Sequence, residues 1–148
     1  MSLKERLERE LLSAMKSKND VRKRTIRMAI SNIKLAEVEK RDKLDDTSIM
    51  ALIHKEIKTR HETIEDARKG NRENIVKEAE AEIAVLLEFL PKPLSENELI
   101  DLTKSVINEL NATSMKEMGA VMKEMVQRVE GRASTDQISR VVRDLLQG

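Results

Sequence analysis

The chain has 148 residues, with 28 Lys+Arg against 27 Asp+Glu and a formal net charge of +1. That length is one ordinary domain or two small ones, and near-neutrality predicts no bulk attraction to nucleic acid or membrane. Cysteine is absent and Phe89 is the single aromatic residue, which excludes disulfides, thiolate metal sites, cysteine nucleophiles and a base-stacking platform of aromatic rings.

Every long segment repeats at the helical period, and four Gly and two Pro are too few for the turns of a β-rich fold. The fold class is therefore all-α. The first helix carries Leu3, Leu7, Leu11, Leu12 and Met15 on one face and ends near Lys18. Asn19-Asp20 caps the second helix, whose stripe is Ile26, Ala29, Ile30, Ile33 and Ala36. Met28, Leu35 and Val38 widen that stripe, so this helix is expected to be more buried than its neighbours. The polar stretch 41–46 breaks the pattern.

Thr47 or Ser48 opens a third helix with Ile49, Leu52, Ile53, Ile57, Ile64 and Ala67. Gly70 closes it, as a C-terminal cap should. Asn71 opens a fourth helix through Ile75, Val76, Ala79, Ile83, Leu86, Leu87 and Leu90. Leu90-Pro91-Lys92-Pro93 then interrupts the chain, because two prolines so close cannot sit inside a helix. The boundary is placed there, between a helical domain of about four helices at 1–90 and a three-helix tail module at 91–148.

The tail is written as three capping boxes: Ser95–Glu98, Ser114–Glu117 and Ser134–Gln137. Leu94 with Leu99 is the hydrophobic staple of the first box, and Ala133 with Ile138 of the third. Each box precedes an amphipathic run: Leu99, Leu102, Val106, Ile107, Leu110; then Met118, Val121, Met122, Met125, Val129; then Ile138, Val141, Val142, Leu145, Leu146. Gly131 stops the middle helix.

No catalytic constellation is legible. The glycines are isolated, so no phosphate loop exists, and no serine sits in a G-x-S-x-G setting. His54 and His61 share a helix face with Glu65, but their spacing matches no established zinc pattern and reads as surface histidines. The carboxylates alternate with Lys and Arg as a solvated helical surface does. No cofactor, no metal and no membrane contact is expected. The first six residues are charged and lack the apolar core of a secretion signal, and no apolar run approaches the ~20 residues of a membrane span. A cytoplasmic protein is the expectation.

Two features point to binding. Lys23, Arg27, Lys34 and Arg41 fall within ~40° of one another on the second helix, next to Arg22 and Arg24. Arg60 and Arg72 stand around the turn between helices three and four, and Lys123, Arg132 and Arg140 are cations of the tail. Such groups hold phosphates without reading sequence. Met118 and Met122 flank Gly119, a pattern that suits an adaptable partner contact, because the thioether chain repacks easily and glycine admits a close backbone. The same methionines also suit the core of a small domain.

The segment from Arg60-His61-Glu62-Thr63-Ile64 through Asn71-Arg72 to Phe89-Leu90-Pro91-Lys92-Pro93-Leu94-Ser95 resembles the GatB/YqeY family. So do Met118-Gly119-Ala120-Val121-Met122-Lys123 and Glu130-Gly131-Arg132-Ala133-Ser134. The likeness is closest to the stand-alone YqeY-like proteins and spans nearly the whole chain. A similar tail ends the B subunit of the glutamine-dependent aspartyl/glutamyl-tRNA amidotransferase, where it engages the tRNA while ATP and amide chemistry lies in other domains. Those domains are missing here. Ser134, Thr135 and Asp136 also leave the loop at 131–136 less basic than the family pattern. The resemblance implies a non-catalytic RNA-associating accessory protein, directed to tRNA or another structured RNA. It alone would attach carbon–nitrogen ligase activity with glutamine as amido-N-donor. The alternative is a protein-interaction module that binds a partner helix or subunit through a Met/Leu-rich surface.

Overall fold

Side-chain caps define where the helices start. Ser2 Oγ accepts from Glu5 N, Asn19 Oδ1 from Arg22 N, and Asp45 Oδ1 from Ser48 N. In the computed structural model, which describes all 148 residues, the helices are α1 (Leu3–Lys16), α2 (Asp20–Lys40), α3 (Asp46–Lys69), α4 (Glu73–Leu87), α5 (Glu96–Glu109), α6 (Met118–Val129) and α7 (Thr135–Gln147). A single 3-10 turn, Met115–Glu117, leads into α6. There are no strands. The backbone divides into two compact units, Met1–Leu90 and Pro91–Gly148.

In the first unit α2 packs against α1, α3 and α4. Its buried face is Ile26, Ala29, Ile30 and Ile33, joined by Leu3 and Leu7 of α1, Ile49 and Ile53 of α3, Val85 and Leu86 of α4, and Phe89. A second, smaller cluster fills the outer part of the α3–α4 hairpin with Ile64, Ala67, Val76, Ala79 and Ile83. Burial of each of the Val, Leu, Ile and Phe side chains among these removes apolar surface worth roughly 1.5–3 kcal/mol.

The expected wide stripe on α2 is corrected. Met28, Leu35 and Val38 are 50%, 60% and 73% exposed. At 100° per residue they lie nearly opposite the core face. A helix that touches neighbours on one half only cannot bury both. Leu12 and Met15 of α1 and Leu87 of α4 are exposed as well. The place of Leu12 and Met15 in the core goes to Ala14.

Helix ends also differ from the reading of the glycines. Asp45, not Thr47 or Ser48, caps α3. Gly70 sits at the end of α3 with φ −94°, while Asn71 takes the left-handed conformation at φ 53°. Asn71 therefore closes the turn, and α4 starts at Glu73 without a side-chain cap. Lys18, Arg41, Asn111 and Glu130 adopt the same conformation after α1, α2, α5 and α6. Each such non-glycine residue costs on the order of 1 kcal/mol.

The tail unit is built as its capping boxes dictate. All three close reciprocally: Ser95 with Glu98, Ser114 with Glu117 and Ser134 with Gln137. The second box opens the 3-10 turn, and α6 follows from it directly. The core holds Leu99, Val106, Val121, Met125, Val129, Ile138 and Val142. Leu94 N donates to Arg132 O at 2.9 Å, which seats the start of the unit on the turn after α6.

Burial decides the consequences of truncation. Leu86→Ala should lower the urea-unfolding free energy of the chain by about 2–5 kcal/mol. Leu35→Ala, on the solvent half of α2, should change it by no more than about 0.5 kcal/mol.

Candidate binding faces

The cations singled out in the sequence fall into two groups. Some are held by carboxylates of their own unit. Arg22 donates to Glu88 at 2.6 Å and to Glu10 at 2.9 Å, so it ties α2 to α1 and to the end of α4. The hydrogen bond to Glu88 is the main reason its guanidinium binds its proton more tightly than usual. Arg24 meets Glu78 at 2.6 Å. Arg60 sits in a nearly buried group with Glu56 at 3.6 Å and Glu82 at 3.7 Å, and its Nη2 also points at Met28 Sδ, 3.7 Å away. In the tail, Arg132 Nε donates to Lys92 O at 2.9 Å. For these residues contact with a phosphate competes with internal partners, most strongly at Arg22 and Arg60, which each face two carboxylates.

The remaining cations stand outside these pairs. Arg27 and Lys34 on α2, Arg72 before α4, Lys123 on α6 and Arg140 on α7 are all exposed. Lys23 is half-buried and meets only Asp20, at 3.8 Å. On α2 the result is a row of Lys23, Arg27 and Lys34, continued by Arg41 at the helix end. The exposed apolar row of Met28, Leu35 and Val38 runs directly alongside it.

The tail methionines divide differently from their spacing. Met125 is fully buried, while Met118 and Met122 are partly buried and pack against the tail core. Only Met115 of this group is exposed, at 38%. Gly119 lies in the first turn of α6, and a Cβ built there meets nothing within 4 Å. Its own unit therefore does not require glycine at that position.

Broad grooves lie on the surface of both units. One, of about 580 Å³, lies in the tail between α5 and α7, where Lys104, Asn108, Asn111 and Thr113 face Leu145. Another, of about 550 Å³, lies along α1 at Arg9, Leu12 and Lys16. Neither is lined by a carboxylate or a histidine. His61 is exposed and His54 half-buried. No group of three or more His, Asp or Glu side chains is placed to hold a metal ion, and no helix is long and apolar enough to cross a membrane.

Sequence reasoning missed two features. The apolar row of α2 was hidden because Met28, Leu35 and Val38 look like core residues in a stripe. The Glu56–Arg60–Glu82 group was hidden because Glu82 comes from another helix. The i,i+4 spacing of Glu56 and Arg60 was the only signal available, and it is shared by many solvated pairs.

An all-α protein of two helical units, with charged and apolar helix faces turned to solvent, is the class these features define. The chain belongs to the YqeY-like family, whose model matches residues 4–146. It is similar to the protein named "Altered inheritance of mitochondria protein 41, mitochondrial" of Vanderwaltozyma polyspora, with 33% identity over 131 residues, 87% of this chain and 70% of that relative. The proteins of the same name from Pyrenophora tritici-repentis and Lachancea thermotolerans are 28% and 32% identical, over 95% and 86% of this chain and 79% and 68% of the relatives. These names correct the expectation of a cytoplasmic protein, since the relatives are mitochondrial. The charged residues from which that expectation came belong to the start of α1, where Leu3 is packed into the core.

The two groups of cations should separate by mutation. Arg60→Ala strands buried carboxylates and should cost on the order of 3 kcal/mol in chemical denaturation. Arg27→Ala, outside any such group, should stay within about 0.5 kcal/mol of the parent.

Proposed function

We propose that the chain is a non-catalytic RNA-associating accessory protein that docks the phosphates of a structured RNA, tRNA first, on rigid helix faces. The observation that supports this reading is the row of Lys23, Arg27 and Lys34 on α2, which lies outside the carboxylate pairs that hold Arg22, Arg24 and Arg60. Lys123 and Arg140 on the tail and Arg72 add exposed positive charge. With one aromatic residue in the chain, recognition rests on backbone shape rather than stacking. The link to tRNA, and through it to glutamine-dependent amidation, comes from the family resemblance of the tail.

The salt dependence of binding tests this. Affinity for tRNA should fall linearly in log K against log[salt]. Replacing Lys23, Arg27 and Lys34 together by Gln should flatten that slope by roughly two to three units. Absence of measurable tRNA binding at low salt removes the reading.

A second reading is favoured by the exposed row of Met28, Leu35 and Val38. It is an apolar helical surface of the kind that seats a partner helix, and it lies on α2, apart from Met118 and Met122 of the tail. The cations beside it fit a partner helix that is acidic on its polar face. In this reading Leu35→Glu with Val38→Glu should abolish capture of the partner subunit in a co-purification while circular dichroism shows intact helices. Gly119→Leu is the control: loss of capture there, and not on α2, would return the contact to the tail.

A further inference from the structure

The first unit has two apolar clusters, and a charged group lies between them. Along α3 the main core ends at Ile53 and the outer hairpin core begins at Ile64. Along α4 the corresponding residues are Val85 and Ile83. Glu56 and Arg60 fall in the first interval, and Glu82 lies at the edge of the second. Ile57 is the apolar bridge that touches both clusters. The side chains of Glu56, Arg60 and Glu82 are 10%, 11% and 17% exposed.

The charges in this group do not balance. One guanidinium faces two carboxylates, at 3.6 Å and 3.7 Å. Neither carboxylate oxygen of Glu56 nor the Nε of Arg60 is within good hydrogen-bond geometry of a partner, although the Asn32 amide and the Arg60 guanidinium lie close enough to favour the ionised carboxylate in part. From α2 the neighbours are neutral: Asn32 beside Glu56 and the sulfur of Met28 beside Arg60.

We propose that Glu56, Arg60 and Glu82 form a proton-operated joint of the first unit. With Glu56 protonated, the outer α3–α4 hairpin is held on the main core. With Glu56 ionised, the hairpin opens locally. In the protonated state Arg60 and Glu82 are a matched pair, and the neutral Glu56 carboxyl carries a proton to share with its neighbours. In the ionised state a second negative charge is left where water cannot solvate it, and opening the hairpin relieves it.

Burial pushes the Glu56 carboxyl above its ordinary range, and Arg60 only partly opposes this. The closed state thus holds a proton that the open state releases. Stability of the joint is fully present below the ordinary glutamate value, near pH 4.3. It is lost as pH rises from there through the raised value. A single proton changes the opening equilibrium by at most about tenfold per pH unit. This joint is independent of the RNA and partner readings, since none of its three members lies on the exposed faces of α2.

Hydrogen exchange of the full chain, followed by mass spectrometry and corrected for intrinsic rates, tests it, because amide protection reports local opening. Between pH 5 and pH 8, protection in residues 61–80 should fall by up to tenfold per pH unit over part of the range, while protection in α1 stays level. Glu56→Gln should keep residues 61–80 protected at pH 8 and remove the pH dependence. Glu82→Gln leaves Glu56 as the sole carboxylate of Arg60 and should move the transition to lower pH. It keeps the test decisive if Glu56→Gln fails to fold. Protection that does not vary with pH in the parent chain overturns the joint. So does a Glu56→Gln hairpin that is less protected than the parent at pH 8, or a Glu82→Gln transition that stays in place.

Discussion

Ile26, Ala29, Ile30 and Ile33 give α2 a face that reaches α1, α3 and α4 at once, and the first unit depends on burying it. No aromatic ring other than Phe89 is available to fill space. The core is therefore assembled from aliphatic side chains whose contribution scales with buried area. A stripe so narrow leaves the other half of a 21-residue helix in solvent. That is why Met28, Leu35 and Val38, apolar as they are, stand exposed, and why basic side chains can line the same half.

The scarcity of glycine has its own consequence. Helix ends are made by polar caps at the start and by left-handed Lys, Arg, Asn and Glu residues at the finish. Reciprocal capping boxes compensate in the tail, where each of the three elements that follow a loop starts from a Ser with a Glu or Gln three residues on. In all three boxes the side chains of two residues satisfy backbone donors that would otherwise be orphaned. The exposed ion pairs contribute less. Arg24 with Glu78 and Arg68 with Glu80 lie at the surface, where such pairs give about 0–1 kcal/mol each. Their effect is on availability, because an arginine that bonds its own unit is withdrawn from the surface that a ligand meets.

Membership of the YqeY-like family fixes what kind of molecule this is without fixing its chemistry. The faces it presents are helical surfaces, and the grooves on them carry amides, hydroxyls and cations. Functions of this kind reside in the placement of charge and apolar area on a scaffold. The structure separates cations that stand outside the internal ion pairs from those that are spent on the fold.

Much of the fold was legible in the order of residues. The helical period, the Pro91–Pro93 interruption and the three boxes are local signals, set by neighbours three or four positions apart, so the helices and the caps of the tail could be read directly. Helix ends that lack a glycine could not, since a left-handed Lys18 or Arg41 carries no compositional mark. Burial was legible only in part. Period alone shows that a residue is apolar and on a face, but Leu35 is exposed and Ile33 buried because of where α1, α3 and α4 lie. The candidate faces followed the same division. The basic row of α2 was visible in the sequence because it repeats along one helix. That Arg22 and Arg24 beside it, and Arg60 on α3, are held in internal pairs was decided by Glu88, Glu78 and Glu82, residues 66, 54 and 22 positions away, which only the packing of α4 against α2 and α3 brings within reach.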